Sequence, residues 1–439
     1  MIKKNSGQKL LNKAKKIIPG GNQLLSKRSE FFLPQLWPNY YKSAKDCSVW
    51  DLDNNHYYDF AGMGVTSCIL GYANNYVDRE VISAIKNGSM STLNSYEEFD
   101  LAKLLLDIHP WASMCKFTRS GGEACSVAVR IARAHSKKDV VAVCGYHGWH
   151  DWYISLNIPN KKNLDKLHLK GLQPLGVPKN LSGTTAPFYF NDKESFKLLW
   201  EKNKNNIGTI IMEPIRDSEP DLSFLRYIRS FSKKNSIVLI FDEITSGFHD
   251  NFGGIHLKYG IKPDMAIFGK AMGNGYPISA IIGTKKIMES AQETFISSTM
   301  WTERIGFTAA VATLQEMKKI DAQNKIIKKS KYISNRLNQI ATKHDLHIEI
   351  NGMESIKSLN FKYKNSEEIM TYFTQEMLKE GFLASSKIVL SVTHTKKIMD
   401  NYLLSANKVF MRISKYITTK RKFPLKGGIK HSSFQRLNK

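Results

Sequence analysis

Short apolar runs alternate with stretches of helical period through the middle of this chain. Met114–Phe117, Val140–Cys144, Gly208–Met212, Ile237–Asp242, Met265–Phe268 and Ser279–Gly283 read as strands. Several are apolar at almost every position, the pattern of a strand covered on both faces. Between them the spacing predicts helices over Glu97–Ile108, from Ser120-Gly-Gly-Glu123 to about His135, over Asp192–Lys204 and over Leu222–Lys234. Such alternation implies an α/β fold, a mostly parallel sheet with helices on both faces, and a ligand site at the carboxyl ends of the strands.

The flanks follow other patterns. Residues 1–18 read as a basic amphipathic helix, with Leu10, Leu11, Ala14, Ile17 and Ile18 on one face and Pro19-Gly20-Gly21 as its stop. Ser48–Phe60 alternates around a polar turn, as a hairpin does. Residues 151–187 are rich in Pro, Gly and polar residues without clear period and read as a lid or binding loop. After Trp301 come helices over Phe307–Lys318 and Asp321–His344, then short strands, closing with Lys408–Ile413 and a basic tail. The expected division is a 1–65 segment joining the small domain, a large 66–310 domain, and a small α+β domain over 311–439.

Composition changes this picture little. The 439 residues are 42% hydrophobic and 23% charged, ordinary for a globular protein. The net charge of +25 raises a nucleic-acid partner as a rival reading, but the lysines are scattered. The exception is the tail, where Lys420, Arg421, Lys422, Lys426, Lys430 and Arg436 stand with no acid after Lys415. Five cysteines, an odd number with no CxxC, suit reduced thiols in a cytoplasm. The chain shows no membrane span, and Met1-Ile2-Lys3-Lys4-Asn5 is not followed by a signal-like apolar stretch.

Two strand ends carry the chemistry. Lys270 follows Met265–Phe268 and is set among small residues, where burial would lower the pKa of a Schiff-base lysine; the alternative is a lysine that snorkels to water. Asp242 ends the preceding strand, with Ile244 on its face and Glu243 on the other. An aspartate to keep a pyridine nitrogen protonated, one crossover before a lysine to bind an aldehyde, suits a pyridoxal 5'-phosphate (PLP) site; a helix cap is the plain reading of Asp242. Ser120-Gly121-Gly122 before a helix offers amides to an anion, and Tyr146, after a strand, offers a ring to stack. Ser297-Ser298-Thr299 offers hydroxyls or merely a cap. His147 and His150 lack the carboxylate or cysteine that would complete a metal set, so no metal is expected.

Ser120-Gly-Gly-Glu-Ala124, Tyr146-His-Gly148, Asp242-Glu-Ile-Thr-Ser-Gly-Phe248, Gly269-Lys-Ala-Met-Gly-Asn-Gly275 and Thr299 occur in the order of the class III PLP-dependent aminotransferases, which the chain resembles over nearly its whole length. Pro19-Gly20-Gly21, Gly176-Val177-Pro178 and Thr393-His394-Thr395 resemble the glutamate-1-semialdehyde 2,1-aminomutase branch. The resemblance implies a fold-type I PLP-dependent enzyme with a mixed sheet. It implies that Lys270 binds the cofactor and later moves the proton, and that Asp242 pairs with the pyridine nitrogen. Tyr146 and Ile244 then enclose the ring, and Ser120, Gly121 and Gly122 hold the phosphate. Thr299 comes from the partner of a homodimer with shared active sites, and Glu213 shapes the substrate pocket.

The chain also departs from that branch. Arg119 and Gly122 stand where the family has Asn and Thr around its Ser-Gly; Met300–Arg304 replaces a Ser-Gly-Asn-Pro-like run, and Ser386–Val389 replaces a substrate-contacting segment. The expectation is therefore a transaminase acting on a small-molecule amino donor and a carbonyl acceptor, with intramolecular amino transfer of the aminomutase type as the alternative. Arg28, Trp301, Glu303 and Arg304 are expected near the substrate entrance, under the 151–187 loop. A bidentate arginine would suit a carboxylate or phosphate; an Arg304–Glu303 ion pair at an interface is the competing reading.

Overall fold

The computed structural model describes residues 5–167 and 169–433. They form two compact units, residues 5–75 with 321–432, and residues 76–320 with 433.

The first unit begins with a helix over Ser6–Ala14 that buries Leu11 and Ala14. Strands β1 (Tyr41–Lys45), β2 (Ser48–Asp51) and β3 (His56–Asp59) then form an antiparallel meander. Its second turn is held by Asp51, whose Oδ1 accepts the amides of Asp53 and Asn55, both at 2.9 Å.

The second unit carries the main sheet. Its strands are β4 (Met114–Thr118), β5 (Val140–Cys144), β6 (Thr185–Pro187), β7 (Ile207–Met212), β8 (Val238–Asp242), β9 (Met265–Phe268) and β10 (Ser279–Gly283), in the order β4-β10-β9-β8-β7-β5-β6. The five from β6 to β9 in that order are parallel, and β10 runs antiparallel to both β9 and β4. Alternate residues go to opposite layers, as strand period demands. Val141, Val143, Ile211, Ile240 and Ile267 pack with the Gly121–Ser136 helix. Ala142, Ile210, Met212, Leu239 and Phe241 pack on the other face with Phe196, Phe224 and Ile228. Burial of both faces is why these strands read as unbroken apolar runs.

Much of the lid expected over 151–187 is instead packed into this unit, while residues 175–183 stay mostly exposed. Trp152, Tyr153, Leu156, Leu164, Leu167 and Leu169 are buried in the core on the Gly121–Ser136 side, and Thr185–Pro187 is the edge strand β6. The Tyr153 hydroxyl donates to the Gly145 carbonyl at 2.8 Å.

The first unit resumes with a helix over Ala322–Lys343 and strands β11 (Ile348–Gly352), β12 (Ile356–Phe361), β13 (Phe382–Leu383) and β14 (Lys387–Val389). β11, β12 and β14 form an antiparallel sheet, while β13 pairs parallel with β3. Lys408–Ile413 lies inside the helix Lys396–Thr418, whose Tyr402 stacks on Phe60 with ring centroids 4.0 Å apart. The tail then straps across its own unit. Phe423 is buried; the amides of Lys426, Gly428 and Lys430 donate to Gln375, Gln35 and Thr371; and Lys430 Nζ pairs with Glu367 at 2.6 Å. Arg436 lies outside the described residues. Among the described residues no helix is long and apolar enough to cross a membrane.

Candidate functional site at the carboxyl ends of the parallel strands

β5, β7, β8 and β9 are neighbours in the sheet. Their carboxyl ends place Tyr146, Glu213, Asp242 and Lys270 along one edge. Asp242, 3% exposed, is the last residue of β8. Three donors converge on it. His147 Nδ1 donates to Oδ2 at 2.7 Å, the Cys125 thiol to the same oxygen at 3.3 Å, and the Ile244 amide to Oδ1 at 3.0 Å. The other ring nitrogen of His147 lies 3.2 Å from the Cys144 carbonyl. Burial, helped by the charge of Asp242, pushes the Cys125 thiol well above its ordinary value, so it stays protonated and donates. One ligand atom from each of Cys125, His147 and Asp242 lies within 4.8 Å of the others, a spacing a metal ion can also use. Cys125 stands on a helix far from Asp242 in the chain, so sequence spacing does not reveal the set. The same three side chains are joined here by hydrogen bonds to the Asp242 carboxylate.

Lys270 opens a short turn after β9 with φ +42°, a left-handed backbone that costs a non-glycine residue about 1–2 kcal/mol. Its Nζ donates to the Thr245 hydroxyl at 3.0 Å, and the side chain is half-buried rather than fully enclosed. Thr245 follows Asp242 by three residues, so one strand end supplies both the buried carboxylate and the hydroxyl that orients the lysine.

Glu243 points to the other side, as strand period requires, and belongs to a separate structural network. It accepts from Ser246 Oγ, the amides of Ile255 and His256, and His256 Nδ1 at 2.6–2.9 Å. His256 Nε2 accepts from Trp111 Nε1 at 3.0 Å. Burial alone would raise the Glu243 carboxyl, but the His256 and Ser246 contacts outweigh it and hold the group below its ordinary value.

The glycines shape a cradle beside these groups. Ser120 caps the Gly121–Ser136 helix in a reciprocal box with Glu123, which also takes the Ser120 and Arg119 amides at 2.9 and 3.0 Å. Gly121 and Gly122 supply the next two amides, which have no intrahelical acceptor. A Cβ on Gly121 would meet Ile244 Cδ1 at 2.7 Å, and one on Gly148 (φ +103°) would meet Gly122 Cα at 2.9 Å. The backbones therefore close to contact only because side chains are absent. His150 lies against Gly122, and its buried Nδ1 has no partner among the described residues. Tyr146 remains 38% exposed, with its ring edge-on to Tyr153 at 6.1 Å. Its amide donates to Glu213 Oε2 at 2.9 Å, and Arg216 Nη1 reaches both Glu213 oxygens at 2.7 and 2.8 Å.

The Thr299–Arg304 stretch is organised around other partners. Thr299 is exposed at the start of a short turn. Arg119 holds that turn: Nε donates to the Met300 carbonyl at 2.6 Å, Nη2 to the Trp301 carbonyl at 3.2 Å and to the Glu303 carbonyl, and the guanidinium pairs with the Glu303 carboxylate at 3.6 Å. Arg304 makes no pair with Glu303; it bonds the Glu97 carboxylate and the Asn87 and Gly88 carbonyls. Trp301 Nε1 points to Glu123 at 3.4 Å. A cavity of about 470 Å³ runs beside this stretch, with Glu123, Arg130, His150, Phe295 and Trp301 in its wall; Lys270, Asp242 and Tyr146 do not line it. Arg28 belongs to the first unit, where its guanidinium lies against Gly20.

A family model described as aminotransferase class-III matches residues 35–408. The chain belongs to the class-III aminotransferase family. The glutamate-1-semialdehyde 2,1-aminomutase of Wigglesworthia glossinidia brevipalpis is 32% identical over 438 residues, covering 93% of this chain and 98% of its own. The 3-aminobutyryl-CoA aminotransferase of Cloacimonas acidaminovorans is 30% identical over 386 residues, covering 85% and 89%. Among solved structures, the FumI protein of Sphingopyxis sp. MTA144 in a PLP form superposes with a TM-score of 0.84 at 22% identity, over 96% of this chain and 99% of that one. A glutamate-1-semialdehyde aminomutase from Pseudomonas aeruginosa PAO1 gives 0.77 at 16% identity, over 93% and 94%. This class-III aminotransferase thus has the fold-type I architecture, is an enzyme and uses PLP. The residues fit that cofactor: a cradle that Cβ atoms would fill, an orphaned buried nitrogen beside it, a buried carboxylate and a lysine at adjacent strand ends.

Proposed function

We propose that this enzyme transfers an amino group from a small-molecule donor to a separate aldehyde or ketone acceptor. The observation that supports amino transfer, common to the separate-acceptor and intramolecular readings, is the placement of Asp242 and Lys270 at the ends of adjacent parallel strands, with Thr245 orienting the lysine. When bound, PLP supplies the aldehyde that takes up the amino group and the ring that spreads the electrons left when a proton departs. Lys270 Nζ would hold the cofactor and, once released from it, would move the proton at the amino-bearing carbon. Asp242, oriented by His147, Cys125 and the Ile244 amide, would pair with the pyridine nitrogen. Tyr146 and Ile244 enclose the ring, and Ser120, Gly121 and Gly122 receive the phosphate at the helix start.

We further propose a homodimer in which the partner's Thr299 reaches the phosphate, and a cytoplasmic location. Exposed Leu93, Tyr96, Phe99, Phe295 and Met300 support a covered face, and five free cysteines suit a reducing compartment. The strapped tail, with Lys430 paired to Glu367, gives no support to a nucleic-acid arm.

The second reading, intramolecular transfer, is favoured by the aminomutase relatives. Ser386–Val389 and Met300–Arg304, which depart from the aminomutase pattern, favour the transaminase. A half-reaction assay decides. The loaded enzyme should turn over an acceptor only when a separate amino donor is present; donor-free isomerisation of glutamate-1-semialdehyde overturns the proposal.

A further inference from the structure

After β7 the chain passes through Glu213 and reaches Arg216, a residue no strand or helix pattern singles out. Glu213 is buried and receives the Tyr146 amide on one side and Arg216 Nη1 on the other. The pair fixes the guanidinium against the Tyr146 ring, with Cζ 5.7 Å from its centroid. Only Nη1 is hydrogen-bonded, although the charge of Asp217 also acts on the guanidinium. Nε and Nη2 have no hydrogen-bond partner among the described residues, and about 30% of the side chain is exposed. Neutralising Glu213 needs one nitrogen; an arginine that also leaves its remaining donors open at the edge of the site is placed to receive an anion. A planar guanidinium matches a carboxylate with two parallel bonds, which a lysine cannot do. Arg304, expected in that role, has its guanidinium engaged by Glu97, Asn87 and Gly88.

We propose that Arg216 binds a carboxylate on the amino donor or carbonyl acceptor, and that Glu213 is its positioning residue. The substrates are then amino acids and oxo acids in preference to neutral amines, aldehydes or keto sugars. This rests on the amino-transfer reading above, but the test separates the two.

PLP-loaded full-length enzyme is titrated calorimetrically with benzoate and with benzamide, and its half-reaction is followed spectroscopically with 3-aminobutanoate and with 2-aminobutane. Arg216→Met should weaken benzoate binding on the order of 30-fold, the loss expected for a charge-assisted bidentate contact. It should lower kcat/KM for 3-aminobutanoate similarly and leave benzamide and 2-aminobutane within about threefold. Arg216→Lys keeps a cation beside Glu213 but lacks the fork. It should retain wild-type cofactor absorbance and thermal unfolding while still losing benzoate affinity. Equal losses for charged and neutral probes, or unchanged benzoate affinity in both variants, overturn the assignment. Should no amino compound be converted by the wild type, the amino-transfer reading falls, and the benzoate comparison still decides the role of Arg216.

Discussion

Replacing Arg119 by Ala should release the Thr299–Thr302 turn while leaving the sheet intact. The Arg119 side chain is 14% exposed and bonds the carbonyls of Met300 and Trp301 in that turn and of Glu303 just after it. Two of these bonds, at 2.6 and 3.2 Å, contribute about 1.5 kcal/mol each as bonds from a charged donor. The guanidinium also lies 5.0 Å over the Phe307 ring, worth about 0.5–1 kcal/mol. The sum, about 3.5–4 kcal/mol, corresponds to roughly 300–700-fold in the local opening equilibrium. Water entering the vacated space recovers part of it, so about 100-fold is the working expectation. Hydrogen–deuterium exchange read by mass spectrometry on peptides spanning 297–306 measures this directly. Gly306→Ala gives an independent route to the same end, because its Cβ would fall on the Arg119 guanidinium. A change below about threefold in those peptides refutes the reasoning. So does equal deprotection of peptides covering β7 to β9, which would show that Arg119 supports the whole unit.

Two further outcomes follow from the buried groups. Glu243 is held below its ordinary carboxyl value, so its contribution to stability is complete above about pH 4.5 and is lost as pH falls through the lower folded value. Glu243→Gln should cost about 3–5 kcal/mol near neutrality, since an amide cannot accept from four donors; thermal unfolding from pH 7 to 3 should fall less steeply for the variant, and parallel curves would sink the assignment. The Cys125 thiol, pushed well up by burial and Asp242, should resist iodoacetamide at pH 7.5 in native protein and react on denaturation, and prompt native labelling mapped to Cys125 would contradict the cluster.

Much of the large unit was legible because its signals are local. Val140–Cys144, Met265–Phe268, Ser279–Gly283 and the Leu222–Lys234 helix fall where the apolar period put them. The positions of Ser120-Gly-Gly, Tyr146, Asp242 and Lys270 were legible because each stands next to an end of such an element. What failed has no single period. Trp152 to Leu169 bury their side chains from short turns, so a core segment looked like a lid. β13 is two residues long and pairs with β3 across the whole chain. Lys408–Ile413 carried too few residues to reveal the 23-residue helix around it. The partners of Asp242 and Lys270 were missed for a related reason: Cys125, His147 and Thr245 acquire their roles only when the sheet brings them together. Arg119 and Arg216 look like surface charges until their acceptors are seen. Arg304 was assigned to substrate from its nearness to Thr299 in the chain, whereas its acceptors lie near residues 87–97.

The central claim is that Lys270, opposite Asp242, carries PLP. Borohydride reduction of the purified, PLP-loaded enzyme, followed by digestion and mass spectrometry, tests it most directly. The account predicts a pyridoxyl adduct on the peptide containing Lys270, and loss of both adduct and visible absorbance in Lys270→Ala. An adduct on a different lysine, or a Lys270→Ala protein that keeps the adduct and the visible band, would contradict it.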